Sequence, residues 1–234
     1  MTKPILDIER LQAWYGESHV LHGVDLSINE GEVVSLLGRN GSGRTTTLRS
    51  ILGLMSRREG SIRVAGSETI RMAAYRIPRL GIGYCPEERG IFASLTTEEN
   101  LELPPRIADG GLSLDEIYGM FPNLLERRSS PGTKLSGGEQ QMLAIARILR
   151  TGAKLLLLDE ISEGLAPVIV QGLASTIRDL KQRGFTILIV EQNFRFVAPL
   201  ADRFYVMEHG TVVLTLDRSE LDARQGELDR LLNV

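Results

Sequence analysis

The sequence predicts an α/β fold with a mostly parallel sheet, an N-terminal antiparallel β region and an inserted helical subdomain. Three observations predict it. Short, near-continuous apolar runs at Leu155–Leu158 and Thr186–Val190 suit parallel strands buried on both faces. Those runs alternate with segments of helical periodicity. From Thr96 to Arg150 the character turns helical throughout, in pieces broken by Pro104-Pro105, Gly110-Gly111 and Ser130-Pro131-Gly132.

In chain order, Ile5–Leu11 and Val24–Ile28 read as strands, separated by a turn at Trp14-Tyr15-Gly16. Glu32–Leu37 is a short, mostly apolar strand, and Thr46–Leu54 a helix with Leu48, Ile51 and Leu52 on one face. Gly60–Val64 and Ile82–Cys85 are further strands. Gly138–Arg150 places Met142, Leu143, Ile145, Ala146 and Leu149 at helical spacing, with Gly152 as the stop. Strand–helix alternation resumes with Lys154–Leu158, Pro167–Arg183, Phe185–Val190, Phe194–Leu200 and Arg203–Glu208, then a hairpin at His209-Gly210. Pro167 near the start of its helix and Gly184 after its end follow the usual asymmetry.

Composition narrows the functional classes. The 234 residues suffice for one large domain, and the charged (24%) and hydrophobic (42%) fractions are ordinary for a globular chain. With a net charge of −3 and no long run of Lys or Arg, there is no electrostatic footprint for nucleic acid. The single cysteine, Cys85, excludes an internal disulfide, fits a reducing cytoplasm, and reads as a buried strand residue rather than a nucleophile. Met1–Glu9 has no apolar region of the kind signal peptides carry, and no run approaches a membrane span. Work at a membrane would therefore go through partners.

The chemistry begins at Gly38-Arg39-Asn40-Gly41-Ser42-Gly43-Arg44-Thr45, followed by Thr46. It fits the phosphate-loop pattern G-x-x-x-x-G-K-[ST] except that Arg44 stands where lysine is expected, and it lies between a strand and a helix as that motif requires. Glycines let consecutive backbone N–H groups turn toward phosphate oxygens, and the helix dipole adds to the attraction. Thr45 would place its hydroxyl on Mg²⁺. A ligand-free glycine turn is the plain alternative, but a chance match is on the order of a few in a hundred.

Two further segments converge on it. Leu155–Leu158 delivers Asp159 and Glu160 at a strand's C-terminal end, where open α/β sheets bind ligands. Asp159 suits a Mg²⁺ ligand and Glu160 a general base for an attacking water. About 20 residues upstream, Leu135-Ser136-Gly137-Gly138-Glu139-Gln140-Gln141 opens a helix. Ser136 and Glu139 form a capping box, while Gly137 and Gly138 expose amides for a second phosphate. Two phosphate surfaces on one chain suggest that two copies pair head to tail.

In this order and spacing, the three segments resemble the nucleotide-binding subunit of ATP-binding cassette (ABC) transporters over essentially the whole chain. Gly81–Glu87, Glu163–Pro167 and Val190–Asn193 resemble, more narrowly, the subunits of branched-chain amino acid uptake systems and their urea and amide relatives. The resemblance implies a single P-loop ATPase domain, with residues 1–86 and 154–234 as the α/β core and 87–153 as the helical subdomain. It implies that Gly38–Thr46, Ser136, Gly137 and Gly138 bind ATP, that Tyr15 stacks on adenine, and that Thr45, Asp159 and Glu87 attend Mg²⁺. Glu160 would be the base, Glu87 would sense the γ-phosphate where many relatives carry Gln, and Gln192 would fill the switch position where many carry His. The implied partners are transmembrane permease subunits, contacted near Pro86–Pro105, a second ATP-binding subunit meeting Glu163–Pro167, and, indirectly, an extracytoplasmic solute-binding protein. The implied place is the cytoplasmic face of the membrane.

Two residues depart from the pattern. Ile161 replaces the proline that usually follows the acidic pair, which predicts a looser loop after Glu160. Arg44 keeps the lysine's charge, but its planar fork is too bulky for the same small cradle, which predicts weaker γ-phosphate positioning and slower hydrolysis. A nucleotide-sensing subunit that barely hydrolyses ATP is therefore a second reading. Chromosome-maintenance ATPases need coiled coils or basic surfaces, and translation-associated cassettes need two copies per chain; neither feature is present.

Overall fold

A computed structural model describes residues 3–232. The chain starts with a long antiparallel pair, β1 (Leu6–Tyr15) and β2 (Ser18–Ile28), and enters the core at β3 (Val33–Gly38). After α1 (Arg44–Ile51) come β4 (Arg57–Val64), the short β5 (Ser67–Glu68) and β6 (Ile82–Cys85). Four helices follow: α2 (Thr97–Glu102), α3 (Leu114–Met120), α4 (Pro122–Glu126) and α5 (Gly137–Leu149). The remainder alternates through β7 (Leu155–Asp159), α6 (Pro167–Gln182), β8 (Thr186–Glu191), α7 (Phe194–Val197), β9 (Arg203–Glu208) and β10 (Thr211–Asp217), ending in α8 (Leu221–Leu232).

The strands form two sheets. One is antiparallel, in the order β2-β1-β4-β5. The other has the order β10-β9-β3-β8-β7-β6 and is parallel except for the β9–β10 hairpin. Its central strands are apolar at successive positions because both faces are covered. Val33 and Leu37, Leu156 and Leu158, and Ile187 and Ile189 pack toward the helices. Val34 and Leu36, Leu155 and Leu157, and Leu188 and Val190 pack toward the antiparallel sheet. Alternation of side chains along a strand thus divides each run between two cores.

Register places the functional loops. β8 lies between β3 and β7, pairing Leu37 with Glu191 and Asp159 with Val190. The loops leaving β3, β7 and β8 therefore emerge side by side at one edge of the sheet.

Several expected boundaries move. The first helix starts at Arg44, two residues before the predicted Thr46, and ends at Ile51 rather than Leu54. The turn expected at Trp14–Gly16 shrinks to Gly16 and Glu17, since β1 runs through Tyr15 and β2 starts at Ser18. The helix expected over Phe194–Leu200 is α7 alone, four residues long. The helix α8 was not anticipated: its polar composition and Gly226 blur the stripe, and only Leu228 and Leu232 are buried.

Candidate nucleotide site

The loop between β3 and α1 curls as its glycines require. Gly41 and Gly43 sit at φ of 80° and 109°, in the left-handed region that a side chain disfavours. At Gly38 the constraint is space, because a Cβ there would lie 2.5 Å from Ser42 Oγ and 2.6 Å from the Met207 carbonyl oxygen. α1 has neither a side-chain cap nor an acid in its first turn, so its leading amides are left for a ligand. Residues Arg39 to Thr46 wall a cavity of about 350 Å³, together with Val20, Glu87, Glu160 and Glu163. The buried Ser42 hydroxyl beside it has no partner among the described residues.

Arg44 is the residue whose planar fork is expected to be too bulky for a lysine's cradle. It is buried, at 4% exposure, and folds back beneath the loop. Nη1 donates to the carbonyl oxygens of Gly38 and, at 3.2 Å, Glu191. Nη2 lies 3.4 Å from Asn40 Oδ1 and forms a 2.6 Å ion pair with Glu160 Oε1. The guanidinium fits by committing its donors to the protein.

At the end of β7, Asp159 is 1% exposed and its buried Oδ1 has no partner among the described residues, while Oδ2 accepts a 3.4 Å bond from the Tyr84 hydroxyl. Burial pushes this carboxyl up to about 6, although Tyr84 and Arg44 pull it down. Such a buried, half-satisfied carboxylate fits a cation ligand. Glu160 is also pushed up, to about 7, first by burial and then by its bond to Glu163, against the pull of Arg44. Its backbone is left-handed, with φ of 47°, and is tied down by its N–H donating to the Val190 carbonyl at 2.9 Å. Ile161 follows, in the place where proline was expected. It is 1% exposed and belongs to the helix-side core, so apolar packing holds the place where proline's fixed φ is missing.

The other predicted residues fall in three places. Glu87 lines the loop cavity, whereas Gln192 lines an adjoining cavity of about 290 Å³ that shares Glu160 and Glu163. Tyr15 stands at the end of β1, 45% exposed, with the Arg49 guanidinium 5.8 Å from its ring centroid; it is not packed into the core. Ser136, Gly137 and Gly138 lie outside the walls of the loop cavity. The predicted capping box is present: Ser136 N–H donates to Glu139 Oε2 at 2.7 Å, and Glu139 N–H to Ser136 Oγ at 3.3 Å. Gly138 also has a packing reason, since a Cβ there would come within 2.9 Å of Ile169 on α6. Cys85 is buried as expected, with its thiol pushed up to about 12 by burial.

Sequence reasoning missed Glu191 and Arg89. Glu191 is 2% exposed, and its carboxylate receives the Ser162 N–H at 2.9 Å, fixing the turn after Glu160. The one signal was a charged residue ending an apolar strand. Arg89 crosses from the Glu87 segment to α5, where its Nη1 donates to Gln140 Oε1 at 3.1 Å. Its position two residues after Glu87 gave no such hint.

A phosphate loop at the C-terminal edge of a parallel sheet, with two carboxylates on the next strand but one, defines a P-loop nucleotide-binding protein. Residues 21–163 match the family described as ABC transporter, and the chain belongs to that family. Its cassette is an ATP hydrolase of the kind coupled to transport. The chain is 40% identical over 213 residues to the high-affinity branched-chain amino acid transport ATP-binding protein BraG of Pseudomonas aeruginosa, spanning 90% of this chain and 91% of the relative. It is 35% identical over 219 residues to the lipopolysaccharide export system ATP-binding protein LptB of Haemophilus influenzae, spanning 90% of each. A solved ATP-binding subunit of an ABC transporter superposes with a TM-score of 0.81 at 28% identity, covering 98% of this chain and 100% of that one.

Proposed function

We propose that this chain powers the import of branched-chain amino acids by closing with a second ATP-binding subunit around ATP at the cytoplasmic face of a permease. The observation that carries this reading is the loop cavity, into which Glu160 and the uncapped start of α1 both face, in a chain 40% identical to BraG along almost its whole length. An extracytoplasmic binding protein would supply the solute. Residues 87–153 would form the helical subdomain presenting the second phosphate surface.

The residues divide the work. The amides of Gly41–Thr46 cradle the phosphates, and Arg44 offers positive charge from below. Tyr15 stacks on the adenine. Thr45, Asp159 and Glu87 would hold Mg²⁺, for which the buried, unpartnered Asp159 Oδ1 is the fitting donor. Mg²⁺ supplies charge neutralisation at the β- and γ-phosphates when bound. Glu160 accepts a proton from the attacking water, with Gln192 beside it in the adjoining cavity. The Ser136, Gly137 and Gly138 amides reach the nucleotide held by the other subunit.

Uptake by proteoliposomes carrying this chain and its permease tests the reading. ATP-dependent accumulation of leucine, isoleucine or valine is expected, abolished by Glu160→Gln. Accumulation of urea or an amide instead would reassign the solute, and outward movement of a lipid-linked cargo would favour the export reading raised by the LptB likeness. The Arg44–Glu160 pair favours a second reading, a subunit that binds ATP yet turns it over slowly.

A further inference from the structure

The segment following Cys85 makes a costly turn. Arg89 N–H donates to the Pro86 carbonyl at 2.9 Å, Gly90 N–H to the Glu88 carbonyl at 2.7 Å, and Arg89 itself takes a φ of 64°. A non-glycine residue in the left-handed region costs about 1 kcal/mol or more and persists where surrounding structure demands it. Here the turn sends the Arg89 side chain across to the start of α5. Its Nη1 donates to Gln140 Oε1 at 3.1 Å. Gln140 Nε2 in turn donates to the carbonyls of Gly132 at 3.1 Å and Leu135 at 3.3 Å, the residues that lead into Ser136. One side-chain chain therefore links the Glu87 segment, which lines the loop cavity, to the stretch that carries Ser136–Gly138.

The charge is also out of balance. The two terminal nitrogens of Arg89 lie 3.5 and 3.6 Å from the point a Cβ on Gly137 would occupy. They thus sit at the positive end of a thirteen-residue helix, where the dipole disfavours a cation. Among the described residues no carboxylate pairs with Arg89, and its Nε is buried without a partner. Glu139, the acid of the first turn, is engaged by the Ser136 N–H and, at 3.5 Å, by Arg127. An anion arriving at Gly137 would satisfy both the helix and the arginine.

We propose that Arg89 is a positioning residue of the second phosphate surface: through Gln140 it fixes Leu135–Gly138 relative to Glu87, and its charge draws that surface onto the nucleotide held by the other subunit. The inference rests on the proposed closure of two subunits around ATP. Because it concerns only the half-site given to the partner, each chain's own loop should not depend on it.

Turnover and nucleotide affinity, measured on the chain with its permease, test this. Arg89→Ala and Gln140→Ala are each expected to lower kcat about 10-fold, with binding of fluorescent ADP to the loop unchanged within about twofold. The double variant should be no worse than Arg89→Ala, since both break one link. Arg89→Lys should recover part of the loss by restoring the charge. Unchanged kcat in Arg89→Ala would overturn the inference, as would additive losses or an ADP affinity that falls together with kcat. A wild-type chain that binds no ATP would instead overturn the reading of the loop itself, so the two failures are distinguishable.

Discussion

Arg44 Nη2 and Glu160 Oε1 form a 2.6 Å ion pair beside the loop cavity, with side-chain exposures of 4% and 12%. The residue that should hold the phosphates therefore holds the proposed base. A γ-phosphate must compete with Glu160 for Nη2, and a carboxylate paired to a guanidinium accepts a proton less readily. Lysine offers one compact ammonium rather than a fork already joined to Gly38, Asn40, Glu191 and Glu160. Arg44→Lys is expected to raise kcat for ATP by about 10-fold or more, equivalent to about 1.4 kcal/mol of barrier. Phosphate-release kinetics decide this, and an unchanged rate would remove the pair from the mechanism.

Glu160→Gln keeps the shape of the side chain but removes the proton acceptor. Loss of at least about 100-fold in kcat is expected, within the range for a general base. Nucleotide affinity should hold or improve, because an amide competes less well than a carboxylate for Arg44. Equilibrium binding beside single-turnover hydrolysis separates the two effects.

Much of this was legible in the sequence. The runs at Leu155–Leu158 and Thr186–Val190 name the central strands because burial on both faces leaves few polar positions. The loop, the acidic pair and the capping box are local patterns, and each appears where its residues predict. What was not legible depends on long-range geometry. Nothing near Arg44 in the chain indicates that Glu160, 116 positions away, accepts its hydrogen bond. The same holds for Arg89 and Gln140, which meet only because α5 packs beside β6. Ile161 depends on the fold in the same way: read locally it lacks proline's fixed φ, and its packing in the core is visible only in three dimensions.

Tyr15 presents an exposed ring at the end of β1, with Arg49 near its face. If that ring stacks on adenine, Tyr15→Ala should weaken ATP binding by about 1–3 kcal/mol, the range for base–aromatic stacking. Tyr15→Phe should bind as the wild type does. Titration with ATP and with inorganic triphosphate provides the contrast, because triphosphate affinity should be indifferent to either change.

Gly138 and Ile169 set the contact between α5 and α6. A Cβ at 138 would stand 2.9 Å from Ile169 Cγ1 and Cγ2, inside any normal contact. Gly138→Ala is therefore expected to destabilise the chain by about 1–3 kcal/mol through overpacking. Ile169→Ala should restore most of that loss by opening the space, and thermal unfolding of the two single variants and the double measures it. If Gly138→Ala remains inactive when Ile169→Ala has restored stability, the amide surface itself is the reason for the glycine.

Three capping boxes make the helices between β6 and β7 sensitive to acid. Glu99 and Glu116 are held below the ordinary 4.5 by the backbone N–H groups and hydroxyls of Thr96 and Ser113. Burial pushes Glu139 up, but the Ser136 N–H and hydroxyl together with Arg127 outweigh it, and the net shift is also downward. A carboxyl whose folded value lies below its unfolded one binds more protons when unfolded, so its contribution is present above 4.5 and lost as pH falls through the folded value. Their full contribution should accordingly be present, and independent of pH, around pH 7 and should decline below 4.5. Glutamine can still accept the N-cap bond but does not titrate. The triple variant Glu99→Gln, Glu116→Gln, Glu139→Gln should therefore start less stable at pH 7 and lose less between pH 5 and pH 3. Denaturant midpoints across that range measure the difference, and parallel curves for variant and wild type would mean that acid acts elsewhere.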